Sequence, residues 1–390
     1  MAQNIEEFRD SLPVGDLGII PLEGCLNLGK VVDDYITEWR KERDAVLRPG
    51  LPASPDSYLV KAKCPRFASG EAKGSILESI RGKDLYFLVD VTNYSVTYQM
   101  SGFPNRMSPD DHYADLKRLI SAATGKARRI NVIMPFLYES RQHKRTSRES
   151  LDCAVMLQEL NALGVENIIT FDAHDPRVQN SIPISGFDNI MPTYQFIKAL
   201  FQNIPDLEVN SEHMMIISPD EGAMSRAVYY SNVLGLDMGM FYKRRDYSRI
   251  VNGRNPIVAH EFLGSSVEGK DVVIIDDMIA SGDSMLDVAR ELKKRKARRI
   301  FAAATFGLFT HGLDTFDRAC EEGLLSKVLT TNAIYQNPEL LSRDYYISVD
   351  ISKYIALLID KLNYDHSISE LLDPSAKIRG ALDFYNKYHH

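Results

Sequence analysis

The sequence predicts an α/β protein with two tandem domains built on mainly parallel sheets. Short apolar runs alternate with segments of helical periodicity through most of the chain, the rhythm of strands joined by helical crossovers. Several of those runs, LYFLVDV at 85–91 and VVII at 272–275 among them, do not alternate with polar residues, as expected of strands buried on both faces. At 390 residues the chain exceeds what one core normally holds, so two domains are expected. The pattern breaks around Ser181–Asp188, at Pro183 and Gly186. The predicted domains are therefore 1–187 and 188–390, with the C-terminal part able to pack back on the first.

In order, Gly18–Leu22 reads as a first short strand and Asn27–Arg43 as a helix. RPGLPASPD at 48–56 is a loop, because its three prolines break regular structure. Tyr58–Phe67 and Lys73–Leu77 read as short strands around the turn Ala68-Ser69-Gly70. Leu85–Val91 is a buried strand, and the polar, Gly/Pro-bearing segment Thr92–Pro109 is a loop or insertion. Tyr113, Leu116, Leu119, Ile120 and Ala123 have helical spacing within Asp110–Ala123. Ile130–Phe136 is the next strand. Thr146-Ser147-Arg148-Glu149 fits a capping box that would open a helix to about Leu163. Ile168–Phe171 is a strand ending in Asp172-Ala173-His174-Asp175.

The second half repeats the rhythm. His213–Ile217 is a strand, Gly222–Leu234 a helix, and Met238–Tyr242 a strand, followed by the polar stretch Asp246–Val258. Val272–Ile275 runs into Asp276 and Asp277, then the turn 280–284, then a helix to about Lys296. A strand over Arg299–Thr305 and a helix over Ile351–Leu362 complete the reading.

Hydrophobic residues make up 44% and charged residues 25% of the chain, ordinary for a globular protein. A formal net charge of −7 argues against a nucleic-acid partner. The four cysteines (25, 64, 153, 320) have no metal-ligand spacing and read as reduced thiols. The acidic N-terminus lacks a signal-peptide core, and no apolar run reaches roughly 18 residues. A cytoplasmic protein without membrane segments is expected.

Ligands of open parallel sheets bind beyond the carboxyl ends of the strands. Polar clusters fall there at Asp172/His174, Asp220, Lys243-Arg244-Arg245 and Asp276/Asp277. The stretch VVIIDDMIASGDS at 272–284 joins a strand to a helix through a small-residue turn, which aims backbone N–H groups and a helix N-terminus at one point and suits a phosphate. Two acids beside it can accept from sugar hydroxyls, so the stretch reads as a sugar-phosphate site. Each cluster also has a plain structural reading. The 272–284 stretch could be a buried strand followed by a cap, His174 a loop histidine, and Asp220 an Asx-turn residue. Lys243–Arg245 and the run 141–148 could be solvated charge. KKRKARR at 293–299 is a helix end, where cations suit the dipole.

Taken in order, these segments resemble the ribose-phosphate diphosphokinase (phosphoribosyl pyrophosphate, PRPP, synthetase) family over about Arg66 to Ile359. RFASGEAKGSILESIRGKD, from Arg66, resembles the family's RFSDGE and ESIRG segments. NVIMPFLYESRQHKR, from Asn131, resembles the strand and RQD-type loop, and TFDAHDPRVQ, from Thr170, the DLHAxQIQ segment. SPDEGAMSRA, from Ser218, resembles SPDxGGxxRA; KRR at 243–245 is matched outright; and DDMIASGDS, from Asp276, resembles DDMIDTGGT. TTNAI and ISVDISKYIALLI resemble the closing elements. The departures are Ser69 and His143 in place of aspartates, Ala280 in place of an aspartate, Asp283 in place of a glycine, and Phe306 where a histidine is frequent. With insertions at 41–56 and 92–109, they mark a divergent branch.

The resemblance implies two phosphoribosyltransferase-like domains with the active site at their junction, an ATP side in 1–187 and a ribose 5-phosphate side in 188–390. It implies that Phe67 stacks on adenine near Ser69, Gly70 and Glu71, and that Arg141 and Gln142 bind ATP. His174 and Asp220 would serve Mg²⁺. Lys243 and Arg245 would stabilise the transferring group from the start of a mobile loop, and Asp276, Asp277, Ala280, Ser281, Gly282, Asp283 and Ser284 would hold ribose 5-phosphate. The implied reaction moves the diphosphoryl group of MgATP to the C1 hydroxyl of ribose 5-phosphate, giving PRPP and AMP, in a multimeric enzyme. Two rivals share parts of this pattern: a phosphoribosyltransferase, and a non-catalytic homologue that regulates a synthetase.

Overall fold

A computed structural model describes residues 5–50, 54–245 and 257–389, without the side chains of 243–245, 257–260 and 388–389. The chain divides into two compact units. One comprises Met1–Met191 with Asn332–Tyr335 and Asp350–Leu372; the other comprises Pro192–Thr331 with Gln336–Val349 and Asp373–His390. These units differ from the blocks 1–187 and 188–390. The break falls after Met191, and two later segments return to the first unit.

The first unit holds β1 (Asp16–Pro21), α1 (Leu26–Leu47), β2 (Ala62–Lys63), β3 (Ser75–Ile76), β4 (Lys83–Leu88), β5 (Thr97–Met100), β6 (Phe103–Arg106), α2 (Pro109–Ala123), β7 (Arg129–Ile133), α3 (Asp152–Ala162), β8 (Asn167–Phe171) and β9 (Gly186–Ile190). Its five-stranded sheet has the order β1-β4-β7-β8-β9, and every pair is parallel. Leu85, Tyr86, Phe87 and Leu88 are all buried, so the unbroken apolar run does report a strand covered on both sides.

Several expectations change here. At the boundary read around Ser181–Asp188 the chain is still within the first sheet: Gly186–Ile190 pairs with β8 as the fifth strand, and a side chain at Gly186 would collide with Asn167. The strands expected over 58–67 and 73–77 shrink to the two-residue pair β2–β3, since Pro65 between them has no N–H to offer a ladder. The segment 92–109 is more than a loop, for β5 and β6 form an antiparallel hairpin whose tip residues, Ser101 and Gly102, both have positive φ. Thr146 and Glu149 do bond as a capping pair, the Thr146 N–H donating to Glu149 Oε2 at 3.2 Å. Helix α3 nevertheless starts only at Asp152, so the motif closes a loop and opens no helix there.

The second unit holds α4 (Thr193–Asn203), β10 (Met214–Ser218), α5 (Met224–Leu234), β11 (Asp237–Arg245), β12 (Ile257–Leu263), β13 (Asp271–Ile279), α6 (Asp283–Lys294), β14 (Ile300–Gly307), α7 (Asp314–Glu321), β15 (Lys327–Thr331), α8 (Pro338–Leu341) and β16 (Tyr346–Val349). After these come α9 (Ser352–Asn363) and α10 (Ser369–Leu372), which belong to the first unit, and α11 (Ser375–His389), which belongs to the second. The seven strands run β12-β11-β10-β13-β14-β15-β16, parallel except for the β11–β12 pair. Val273 and Ile275 pack with Phe196, Leu200, Ile216 and Tyr385 on one face. Val272 and Ile274 pack with Leu286, Ala289, Leu292 and Phe316 on the other. Two opposite faces, both apolar, are why 272–275 shows no alternation. Of the stretch Asp246–Val258, residues 246–256 lie outside the described residues, and β12 begins at Ile257.

The amino ends of both sheets carry the same device. At the start of β4, buried Asp84 receives two hydrogen bonds from Arg129 of β7, each 2.8 Å. At the start of β13, buried Asp271 is held by Arg298 and Arg299, each at 2.6 Å. Placing these charges at the amino ends leaves the carboxyl ends for chemistry. Cys25 and Cys153 are buried, and burial pushes the thiols of Cys64, Cys153 and Cys320 up to about 12, so they stay protonated and unreactive at neutral pH. Among the described residues, no helix is long and apolar enough to cross a membrane.

Candidate active site

In the first unit the polar residues gather beyond the carboxyl ends of β4, β7 and β8. The loop after β7 carries Arg141, Gln142 and His143. Arg141 is exposed, and Gln142 Nε2 donates to the Ser150 carbonyl at 2.8 Å, which ties the loop to the start of α3. After β8, buried Asp172 takes φ +42°, a turn that delivers exposed His174. The His143 and His174 rings stand 5.4 Å apart, and His143 Nε2 lies 3.5 Å from Asp175 Oδ2. Burial holds the His143 imidazole below its ordinary value against the pull of Asp175, so it is neutral at pH 7. Hydrogen bonds from Arg177 bring the Asp175 carboxyl down to about 2. A neutral imidazole thus stands where the related pattern has a carboxylate.

Phe67, Ser69, Gly70 and Glu71 form a tight turn closed by a backbone bridge between Arg66 and Ala72. The Phe67 N–H donates to the Glu71 carbonyl at 2.7 Å, and Ser69 Oγ donates to Glu71 Oε2 at 3.0 Å. The turn holds Phe67 55% exposed, an apolar ring presented to solvent on a braced loop. Arg66 is bound to Asp115 of α2 at 2.8 Å. From the loop after β7, Tyr138 donates to Asp110 at the other end of the same helix segment at 2.6 Å. The first half of α2 therefore seats both loops.

In the second unit, β13 outruns β10: their pairing ends at Ile217–Ile274, whereas β13 continues beside β14 to Ile279. Asp276 and Asp277 sit in that overhang, and the strand extends four residues beyond the apolar run. Asp277 is buried and its N–H donates to Asp276 Oδ1 at 2.9 Å. Burial, the neighbouring Asp277 charge and their shared hydrogen bond push the Asp276 carboxyl well above the usual carboxylate range. The charges of Arg226 and Asp220 act on it in opposite directions. Asp220, after β10, is therefore an electrostatic neighbour of the Asp276/Asp277 pair. Its Oδ1 accepts from the Gly222 N–H at 3.0 Å, so the Asx-turn reading holds as a local fact. Sequence reasoning passed over Arg226, a buried cation beside two acids; an arginine on a helix gives no outward sign of burial.

The turn 280–282 leads into α6. Gly282 caps the helix at φ +91°, and the Ala280 carbonyl accepts from the Thr310 N–H at 2.9 Å. Asp283 is the first helical residue, exposed, and Ser281 Oγ donates to its Oδ2 at 2.9 Å. Its charge complements the helix N-terminus, and the Ser281 hydroxyl is engaged by it. Ser284 is exposed in the same first turn. Gly282 cannot be replaced freely: a Cβ would lie 2.5 Å from Phe316 Cζ. Gly282→Ala should cost about 1–3 kcal/mol through overpacking; thermal melting checks this, and an unchanged melting temperature would refute it.

Lys243 and Arg245 lie on β11, whose backbone pairs Lys243 with His260 and Arg245 with Ile257, with an irregularity between Arg244 and Arg245. Among the described residues no three His, Cys, Asp or Glu side chains cluster as a metal cage. That is compatible with Mg²⁺, which takes one or two carboxylates and keeps water and phosphate oxygens for the rest. Asp220 is a carboxylate and His174 an imidazole, the two residue types read above as candidates for the metal, and they belong to different units.

Two family models match the chain: the N-terminal domain of ribose phosphate pyrophosphokinase over residues 19–164, and the phosphoribosyl transferase domain over 185–333. Ribose-phosphate pyrophosphokinase of Vibrio cholerae is 27% identical over 321 residues, covering 81% of this chain and 92% of that protein. The chain belongs to the ribose-phosphate pyrophosphokinase family. A second family member, from Burkholderia pseudomallei, is 28% identical over 323 residues, covering 81% of this chain and 91% of its own length. The solved phosphoribosylpyrophosphate synthetase of Mycobacterium smegmatis shares the fold, with a TM-score of 0.69 at 19% identity over 89% of this chain and 98% of that one. The family's two tandem phosphoribosyltransferase-type α/β domains, with mainly parallel sheets, are thus the architecture of this chain.

Proposed function

We propose that this chain is a ribose-phosphate diphosphokinase, which transfers the β,γ-diphosphoryl group of ATP to the C1 hydroxyl of ribose 5-phosphate, giving PRPP and AMP. The observation that carries this is the ordered match of both family models along most of the chain, with relatives of the same name aligned over nearly their whole length.

Phosphoryl transfer asks the protein mainly for positioning and for charge where charge develops. In our reading Phe67 offers its exposed ring to adenine, Ser69 and Glu71 offer hydrogen-bonding groups at the base edge, and Arg141 and Gln142 meet the nucleotide. Asp276 and Asp277 orient the ribose by accepting from its hydroxyls, which places the C1 oxygen for attack on the β-phosphorus. The turn 280–284 and the first turn of α6 receive the 5-phosphate. Lys243 and Arg245 stabilise charge on the β-phosphoryl oxygens as the bond to the α-phosphate breaks. Mg²⁺, held by Asp220 and assisted by His174, would supply neutralisation of the phosphate oxygens. Burial and the Asp277 charge push the Asp276 carboxyl well above the usual carboxylate range, and hydroxyl donors from the sugar would offset that.

A second reading, a binding-only homologue, draws support from Ser69, His143, Ala280 and the Ser281–Asp283 hydrogen bond. Incubation of the purified chain with MgATP and ribose 5-phosphate separates the two. AMP and PRPP should form in equal amounts; AMP no higher than in a protein-free control would overturn the catalytic reading.

A further inference from the structure

The hairpin β5–β6 is built against the turn that carries Phe67. Met100 packs on the backbone of Gly70 so closely that a Cβ there would lie 2.6 Å from Met100 Sδ and 3.1 Å from its Cγ. Gly70 itself takes φ +93°, a conformation that favours glycine. Beside that contact the Ser101 N–H donates to the Ala68 carbonyl at 2.8 Å. Two residues before Met100, the Tyr98 ring lies 4.7 Å from the Arg66 guanidinium, which also donates to Asp115.

Alternate residues of a strand point to one face, so Tyr98 and Met100 present a single surface to the turn. The hairpin is in turn fixed to α2. Ser108 and Asp111 form its capping box, and Tyr98 Oη reaches Asp111 at 3.4 Å. The turn is thus braced at Arg66, Ala68 and Gly70, residues that alternate with Phe67, Ser69 and Glu71.

We infer that the hairpin 97–106 is a positioning element of the nucleotide-base subsite, with Met100 setting the height and orientation of the Phe67–Glu71 turn. The inference rests on the proposed reaction only in naming ATP as the nucleotide. Met100 touches no substrate; it acts through Gly70. Truncating it leaves a gap into which the turn can sink, so the base loses a preformed surface and affinity falls.

The test compares the full-length parent with Met100→Ala and Met100→Leu. AMP and ATP binding are followed by calorimetry, and initial rates with each substrate varied in turn. Met100→Ala should weaken AMP binding and raise KM for ATP about tenfold, as misplacement of a binding group does, with kcat and KM for ribose 5-phosphate near the parent's. Met100→Leu, similar in volume, should restore binding to within about twofold. Unchanged AMP affinity in Met100→Ala overturns the inference. So does a joint fall in melting temperature, kcat and affinity for both substrates that leucine does not rescue, since the hairpin would then only support folding. Calorimetry needs no turnover, so a parent that makes no AMP would sink the functional reading while the binding ratio still decides the role of the hairpin.

Discussion

Lys243→Ala is expected to lower kcat about a hundredfold or more, the usual cost of removing one preorganised charge from a transition state, while KM for ribose 5-phosphate barely moves. The reason is differential. A cation that meets the β-phosphoryl oxygens gains strength as negative charge builds there, and it has little to offer the acceptor sugar in the ground state. Its place at the end of β11, paired through the backbone with His260, puts it on a strand next to β10, which delivers Asp220. Initial rates with each substrate varied in turn read the split. A Lys243→Ala enzyme with near-normal turnover would remove the assignment, and a loss confined to KM for ribose 5-phosphate would move Lys243 to the acceptor side.

Asp360→Ala should destabilise the first unit by about 3–5 kcal/mol, because it strands buried positive charge. Asp360, fully buried on α9, accepts from Arg40 Nε at 2.7 Å and from Arg43 Nη1 at 2.9 Å, both arginines being buried on α1. Arg40 also reaches Asn363 at 2.8 Å, and Asn363 donates to Asp84 at 2.9 Å. The cluster is therefore continuous with the Asp84–Arg129 pair under the sheet. Arg43 lies over the Phe8 ring at 3.9 Å as well. The exposed pair Lys30–Asp34 on α1, 2.8 Å long, supplies the control within the same unit: Asp34→Ala should leave the unfolding midpoint almost unmoved. Urea unfolding of both variants, with the first-unit transition followed by Trp39 fluorescence, checks the contrast. Equal midpoints for the two would mean that α9 does not depend on this cluster.

The legible parts of the chain were those where one physical requirement acts on consecutive residues. An apolar run covered on both faces leaves VVII and LYFLVDV without alternation, and helix burial leaves a period near four in Tyr113–Ala123. Such patterns survive because tertiary contacts reinforce them. The hairpin in 92–109 and the strand GFDNI were not legible. Their exposed or half-buried positions impose little composition, and what holds them is distant: Gly70 for Met100, Asn167 for Gly186. Thr146 and Glu149 show the converse failure, a correct local bond in a segment that no helix follows.

By itself the sequence determined the fold class, the family, and which loops bear the candidate chemistry, because each is written in the identity and order of residues along the chain. Only the tertiary structure decided that α9 returns to the first unit, where a buried carboxylate binds two arginines more than three hundred residues away in the chain. It likewise decided that Asp220 and Arg226 act on Asp276, and that Asp283 accepts from Ser281. Those facts depend on which groups share a low-dielectric space, and burial and distance between remote residues leave no periodic trace in the chain.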